Sequence, residues 1–256
     1  MRCEAALYLG DNLTTLRNFA EGSIALTVTS PPYDNLRTYE GFSWDFENLA
    51  KELFRVTKEG GVVVWNVNDA MVKGSETGVS FRQALFFMEC GFNLHDTMVW
   101  CKPNPVPTQH TRYQNAFEYM FVFSKGKPKT TNILREPSKC AGQVKKKHRA
   151  VGGAHDDNSE GVYVTKDTKT RNNYWVLPSS CSKETGAHPA AFPEQLAIDH
   201  ILSWSNEGEL VLDPFMGSGT TGVACMLTKR YFVGCELSEK YLSEIAEPRI
   251  DAAVWG

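Results

Sequence analysis

Near its C-terminus the chain carries a short apolar strand, a glycine-rich turn and a helix in immediate succession, and too little chain follows to complete a sheet. Leu210-Val211-Leu212-Asp213 reads as the strand, Pro214 to Ser218 as the turn, and Gly219 to Leu227 as the helix. Only 43 residues lie beyond Asp213. They hold one more strand, Tyr231 to Glu236, and one more helix, Glu239 to Glu247. The other strands must come from the N-terminal part, so the sheet is assembled out of sequence order.

The N-terminal part supplies them. Leu7-Tyr8-Leu9-Gly10-Asp11 is a short strand closing on a Gly-Asp turn, and Leu13 to Phe19 has helical spacing. Ile24-Ala25-Leu26-Thr27-Val28 leads as a strand into Thr29-Ser30-Pro31-Pro32-Tyr33, an abrupt rigid corner. Leu49 to Val56 is an amphipathic helix that the spacing predicts to stop at Gly60-Gly61. Val62 to Val67 is a continuous apolar run, as in a strand buried on both faces. Phe81 to Met88 reads as a helix, Thr97 to Trp100 and Phe117 to Phe123 as strands, and Glu194 to Trp204 as a helix. Strands alternating with helices imply an α/β fold with a mostly parallel, doubly wound sheet covered on both faces.

Composition bounds what such a fold does. A chain of 256 residues with 42% hydrophobic and 22% charged residues suits one sizeable soluble domain. No apolar run approaches a membrane span and no signal-peptide pattern opens the chain. The seven cysteines are scattered with no Cys-x-x-Cys pair, so neither zinc nor another metal is expected and a reducing cytoplasm is the natural compartment. Net charge is −3, but from Lys125 to Arg149 nine Lys/Arg stand against one acid, Glu136. That basic stretch is open to two readings, a solvated loop or an insertion facing phosphates.

Two segments carry the chemistry. Consecutive prolines, Pro31 and Pro32 after Ser30, fix φ and offer no N–H, so their carbonyls have no ladder to join and can face a ligand as acceptors, with the Tyr33 ring beside them. Gly217-Ser218-Gly219-Thr220-Thr221-Gly222 satisfies G-x-G-x-x-G, which raises a dinucleotide cofactor. Glu236, 23 residues after Asp213 at the end of the next strand, suits ribose hydroxyls. Asp213 argues against a dinucleotide, because its carboxylate beside the turn repels a pyrophosphate and suits a ligand carrying an ammonium group.

Together the two segments resemble those of the amino-group DNA methyltransferases that use S-adenosylmethionine: a Ser-Pro-Pro-Tyr catalytic motif and an Asp-Pro-Phe-x-Gly-Ser-Gly-Thr-Thr cofactor motif. Their order, catalytic motif first, is similar to that of the family's permuted β group. The resemblance implies catalytic roles for Ser30, Pro31, Pro32 and Tyr33, with the Ser30 and Pro31 carbonyls binding the N–H groups of the target and Tyr33 stacking on a flipped base. It implies cofactor contacts at Asp11, Asp213, Pro214, Phe215, Gly217, Ser218, Gly219, Thr220 and Glu236, and at His188 and Pro189 in the segment that leads back toward the glycine turn. It implies three segments: residues 1–125 as the catalytic half, 126–187 as a small basic target-recognition insertion, and 188–256 as the cofactor half. Within the insertion, Lys145, Lys146, Lys147 and Arg149 are expected to meet phosphates, and Arg171 and Asn172 to reach base edges.

Double-stranded DNA is then the expected partner, and a homodimer and a cognate restriction endonuclease are both open. Ser at the first motif position is commoner in the family among cytosine-N4 enzymes, Asp or Asn among adenine-N6 enzymes. Cytosine N4 is therefore the expected target, with adenine N6 as its alternative. Methylation of RNA or protein, a silent nucleic-acid-binding module and a dinucleotide oxidoreductase stand behind these.

Overall fold

A computed structural model of the chain describes residues 4–32, 45–105, 107, 112–146, 161–179 and 192–255, with the side chain of Trp255 left aside. The chain divides into two compact units, Met1–Asn132 with Asn173–Gly256, and Ile133–Asn172.

The larger unit begins with β1 (Ala5–Leu9), α1 (Asn12–Leu16), β2 (Ile24–Thr29), α2 (Phe46–Val56) and β3 (Thr57–Val67). A two-rung hairpin, β4 (Met71–Val72) and β5 (Ser75–Glu76), precedes α3 (Val79–Glu89), β6 (Asn93–Cys101) and β7 (Phe117–Ser124). The smaller unit holds β8 (Arg135–Pro137), β9 (Val144–Lys146), β10 (Val162–Val164) and β11 (Thr168–Thr170). The chain then returns with β12 (Tyr174–Val176), α4 (Glu194–Trp204), β13 (Leu210–Asp213), α5 (Thr220–Leu227) and β14 (Tyr231–Glu236). It ends in α6 (Glu239–Tyr241), a π-helical turn at Leu242–Ala246, and α7 (Glu247–Trp255).

One eight-stranded sheet runs in the order β1-β14-β13-β2-β3-β7-β6-β12. All neighbouring pairs are parallel except those that β7 makes with β3 and β6. The expected out-of-order assembly is what forms: β13 lies directly beside β2, with Val211 opposite Leu26 and Leu212 opposite Thr27. Every residue of β2 is buried, as is all of β3 from Gly60 onward, which fits strands covered on both faces. Alternate side chains feed two cores. Leu26, Val28, Val62, Val64, Met120 and Val122 pack with α4, α5 and α7, while Ile24, Val63, Trp65, Phe121 and Phe123 pack with α1, α2 and α3.

α2 forms because Leu49, Leu53 and Val56 recur on one face and Asp45 caps its first turn, accepting from the Asn48 amide at 3.2 Å. Its end departs from the sequence expectation. The helix stops at Val56, and β3 begins at once and runs through Gly60-Gly61. Ile24 pairs with Thr57 but Leu26 with Val62, so β3 carries extra residues at this point. A bulge of this kind needs glycine: Gly60 sits at φ +80°, and a Cβ on Gly61 would stand 2.9 Å from the Ala25 carbonyl.

The smaller unit is narrower than the 126–187 segment expected from sequence. Residues 126–132 belong to the larger unit, and β12 joins its sheet, pairing Trp175 with Trp100. Trp175 is 4% exposed, and that burial draws the segment onto the sheet. The described residues of 133–172 form two separate ribbons, β9 with β10 and β8 with β11.

Candidate active site

β13 leads through α5 to β14 on one side of the sheet order, and β2 leads through α2 to β3 on the other. The carboxyl ends of β13 and β2 are therefore a topological switch point, where two adjacent strands send their loops apart and leave a crevice between them. The glycine turn leaves from one lip and Ser30-Pro31-Pro32 from the other. Sequence reading placed the two segments near each other; register places them on neighbouring strands.

Asp213 fastens the lips together. Its carboxylate is 1% exposed and accepts from the Thr29 hydroxyl at 2.6 Å, the Thr221 hydroxyl at 2.7 Å and the Phe215 amide at 3.0 Å. Thr29 is the last residue of β2 and Thr221 lies in the first turn of α5. One side chain thus ties the strand before the prolines to the helix after the glycines. Burial pushes the Asp213 carboxyl up from 3.8 to about 6, against the lowering pull of these three hydrogen bonds. All three donors are neutral, so the site holds a carboxyl whose ionised form would be stabilised by a cation. The carboxylate lies enclosed beneath the turn, so any effect on a ligand ammonium is exerted through charge.

The turn itself is shaped by backbone. Gly217 and Gly219 adopt φ +53° and +77°, and Gly219 stands at the N-terminus of α5. The Gly217 amide donates to Glu236 Oε2 at 2.8 Å, and the Ser238 amide donates to Oε1 at 2.9 Å. Glu236 therefore holds the turn as well as lying at the end of β14 where sequence reading placed it. Gly222 has a different duty: a Cβ there would come within 2.8 Å of the Phe232 ring and press on Ile250, so it sets the close packing of α5 on β14 and α7. The third glycine of the G-x-G-x-x-G pattern is a packing residue.

The β1 end completes the crevice on its far side. The Gly10 amide donates to the Glu236 carbonyl at 2.8 Å, and Asn12 Nδ2 donates to the Pro214 carbonyl at 3.1 Å. Asp11 caps α1, accepting from the Thr14 amide at 2.8 Å and the Thr14 hydroxyl at 2.9 Å. The structure thus brings Asp11, Asp213 to Thr220, Glu236 and Ser30 to Pro32 to one edge of one sheet. Ser30 and Pro32 are partly exposed and Pro31 is buried.

Tyr33, His188, Pro189, Lys147 and Arg149 lie outside the described residues. Lys145 and Lys146 lie exposed on the β9/β10 ribbon, with Lys145 opposite Tyr163 and Lys146 opposite Val162. Asn172 is exposed; Arg171 is partly buried, and its amide donates to the Leu134 carbonyl at 3.0 Å. Among the described residues no cluster of His, Cys, Asp and Glu is arranged to hold a metal ion.

Four supporting groups escaped sequence reading. Thr29 precedes one recognised motif and Thr221 closes the other, but neither gave a sign of sharing one carboxylate. Asn12 follows the Gly10-Asp11 turn without any signal of its own. Arg249, 31 residues after Ser218, donates to the Ser218 carbonyl from α7, a link that spacing along the chain does not reveal.

Comparison with known proteins agrees with this geometry. Residues 24–247 match the model of a DNA methylase family. The orphan methyltransferase M.BamHII of Bacillus amyloliquefaciens is 51% identical over 246 residues, covering 91% of each chain. Among solved structures, TTHA0409 of Thermus thermophilus superposes with a TM-score of 0.68 at 26% identity, covering 98% of this chain and 97% of the other. The cytosine-N4-specific PvuII DNA methyltransferase shares the fold at TM-score 0.69 and 23% identity, covering 99% of this chain and 92% of the other.

Proposed function

This chain belongs to the DNA methylase family of amino-group (N6/N4) methyltransferases, and from that premise we propose that it methylates the N4 amino nitrogen of a cytosine flipped out of duplex DNA. The observation that supports the reading is the β2/β13 juxtaposition, which puts the Ser30-Pro31-Pro32 corner and the glycine turn at the ends of neighbouring strands.

S-adenosylmethionine fits the residues on the cofactor lip. A buried carboxyl bonded only by neutral donors favours a cationic ligand, and the sulfonium and ammonium groups supply two positive charges. Asp11, Glu236, the turn from Pro214 to Thr220 and, from sequence, His188 and Pro189 are the residues that would hold it. When bound, it supplies an activated methyl group with a neutral thioether as leaving group, which fits a site that needs no cysteine nucleophile.

The chain's own contribution falls on the amino nitrogen. That nitrogen is a weak nucleophile because its lone pair is delocalised into the base. The Ser30 and Pro31 carbonyls accept its two N–H bonds, localise the lone pair and hold the nitrogen for in-line attack. Acceptors of this kind strengthen as positive charge develops on nitrogen, so they favour the transition state over the ground state. Positioning supplies much of the remaining acceleration. Tyr33, by its place in the motif, stacks on the flipped base.

The choice of cytosine rests on Ser30. Its hydroxyl donates to the ring nitrogen beside the amino group, whereas an Asp there would only accept. The exposed Lys145 and Lys146, with Lys147 and Arg149, would meet phosphates, and Arg171 and Asn172 would meet base edges. Mass spectrometry of nucleosides from unmethylated DNA, treated with the protein and S-adenosylmethionine, tests the assignment. N4-methylcytosine is the expected product; N6-methyladenine alone would overturn the choice of base.

A further inference from the structure

A row of polar side chains crosses the sheet just beyond the Ser-Pro-Pro lip. Thr29 pairs with Trp65, so Asn66 stands one residue on, level with Ser30 on the adjoining strand. Trp65 faces the α2/α3 core while Val62 and Val64 face the α4/α5 core, so by the two-residue pleat Asn66 points to the α4/α5 face. Glu118 on β7 shares that face with Met120 and Val122, and Lys102, just past β6, continues the side of Met98 and Trp100.

These three residues are bonded in series. Asn66 Nδ2 donates to Glu118 Oε2 at 2.8 Å, and Lys102 Nζ donates to Glu118 Oε1 at 2.5 Å. The Lys102 ammonium also lies over the Trp100 ring, 4.8 Å from its centroid. Asn66 is 2% exposed and the Glu118 side chain 8%. A carboxylate taken this far out of water is costly unless it is paired and hydrogen-bonded, and here it is both.

The arrangement fixes a choice that an asparagine alone leaves open. An amide can turn either its NH2 or its carbonyl to a neighbour, whereas a carboxylate only accepts. Glu118 therefore commits the Asn66 NH2 to itself and turns the Asn66 carbonyl oxygen away, and Lys102, bonded to the other carboxylate oxygen, holds Glu118 in place. We propose that Glu118 and Lys102 are positioning residues which present the Asn66 carbonyl to the amino group of the flipped base, as a third acceptor beside the Ser30 and Pro31 carbonyls. This rests on the amino-methyltransferase reading above. Ser30 carries no charge, so the catalytic lip depends on neutral acceptors, and an amide held in one orientation adds to them without bringing a second negative charge against the base.

The test exchanges the polarity of the pair. In Glu118→Gln the partner no longer dictates the amide's orientation, and the turnover number should fall ten- to a hundredfold while S-adenosylmethionine affinity by calorimetry stays within twofold. Asn66→Asp places two carboxylates against each other and should fall comparably. The double variant Asn66→Asp/Glu118→Gln restores one donor facing one carboxylate, with the same net charge and an acceptor still turned to the base. Its turnover should return to within tenfold of the native protein. If a single variant does not fold, the double variant decides alone. Native-like S-adenosylmethionine binding by the double variant with turnover more than tenfold below native would overturn the proposal, as would full turnover in Glu118→Gln. If the native protein itself methylates no base amino group in the nucleoside assay, it is the functional reading that fails; transfer by the native protein with no recovery in the double variant removes only the positioning role.

Discussion

The switch-point crevice and the unit formed by residues 133–172 are built on opposite principles. At the crevice, Asp213, Thr29 and Thr221 are all at most 1% exposed, and four strand ends are cross-tied by side chains and backbone. In the smaller unit no described residue is buried. Its described strands are three residues long and pair two by two, while Val144, Val162 and Val164 stand 63–66% exposed. A two-stranded ribbon is marginally stable on its own. The contrast teaches a division of labour: chemistry that depends on tenths of an ångström sits where packing over-determines the backbone, and the surface proposed to meet DNA is left free to adjust to it.

Hydrogen exchange should show that division most strongly. Amides of β2, β3 and β13 are expected to exchange only through global opening, and those of β8 to β11 through local opening, with protection on the order of a thousandfold apart. Equal protection in the two regions would break the comparison.

Replacement of Asp213 by Ala comes next. It removes the buried charge and strips the Thr29 hydroxyl of its acceptor, leaving Thr221 the longer bond to the Val28 carbonyl at 3.3 Å, so S-adenosylmethionine affinity should fall on the order of a hundredfold, with a loss of about 1–3 kcal/mol in stability for the orphaned group. Asp213→Asn, which keeps the volume, should retain the fold and still bind the cofactor more weakly. Calorimetry and a thermal melt on both variants separate the two effects.

The same carboxyl predicts a pH dependence. Burial raises it from 3.8 in the unfolded chain to about 6, so between those values the folded protein holds a proton that the unfolded chain has released. Its contribution to stability therefore declines as pH rises through that window. A cationic ligand favours the ionised form, so S-adenosylmethionine affinity should climb about tenfold between about pH 5 and about pH 7. A flat profile would mean that Asp213 does not sense the ligand's charge.

The smallest effects belong to the exposed ribbon. Lys145→Ala and Lys146→Ala should each weaken duplex binding a few-fold and lower the salt slope by about 1, with the S-adenosylmethionine affinity and melting temperature unchanged. A drop in melting temperature would give these lysines a structural part that the exposed ribbon does not suggest.

Much of this architecture was legible in the residues. β-branched runs gave the strands because a buried strand must be apolar on both faces, and Val62 to Val67 could hardly be anything else. Glycine and proline punctuation marked both lips, since only certain residue types can make those corners. The Gly60-Gly61 pair misled because glycine ends helices and also permits bulges, and the chain alone does not say which neighbour approaches. The start of β12 was not legible for a similar reason, as its three residues carry too little pattern to show that Trp175 is buried against the sheet.

What the sequence determined, then, was the inventory: which segments are strands and where the corners fall. Tertiary structure alone decided the partners. That Asp213 would hold hydroxyls from β2 and α5, that Gly222 would serve packing, and that Asn66, Glu118 and Lys102 would join in series depends on segments 8 to 184 residues apart being brought side by side. Periodicity records which face a residue takes, and only strand order and register record whom it meets there.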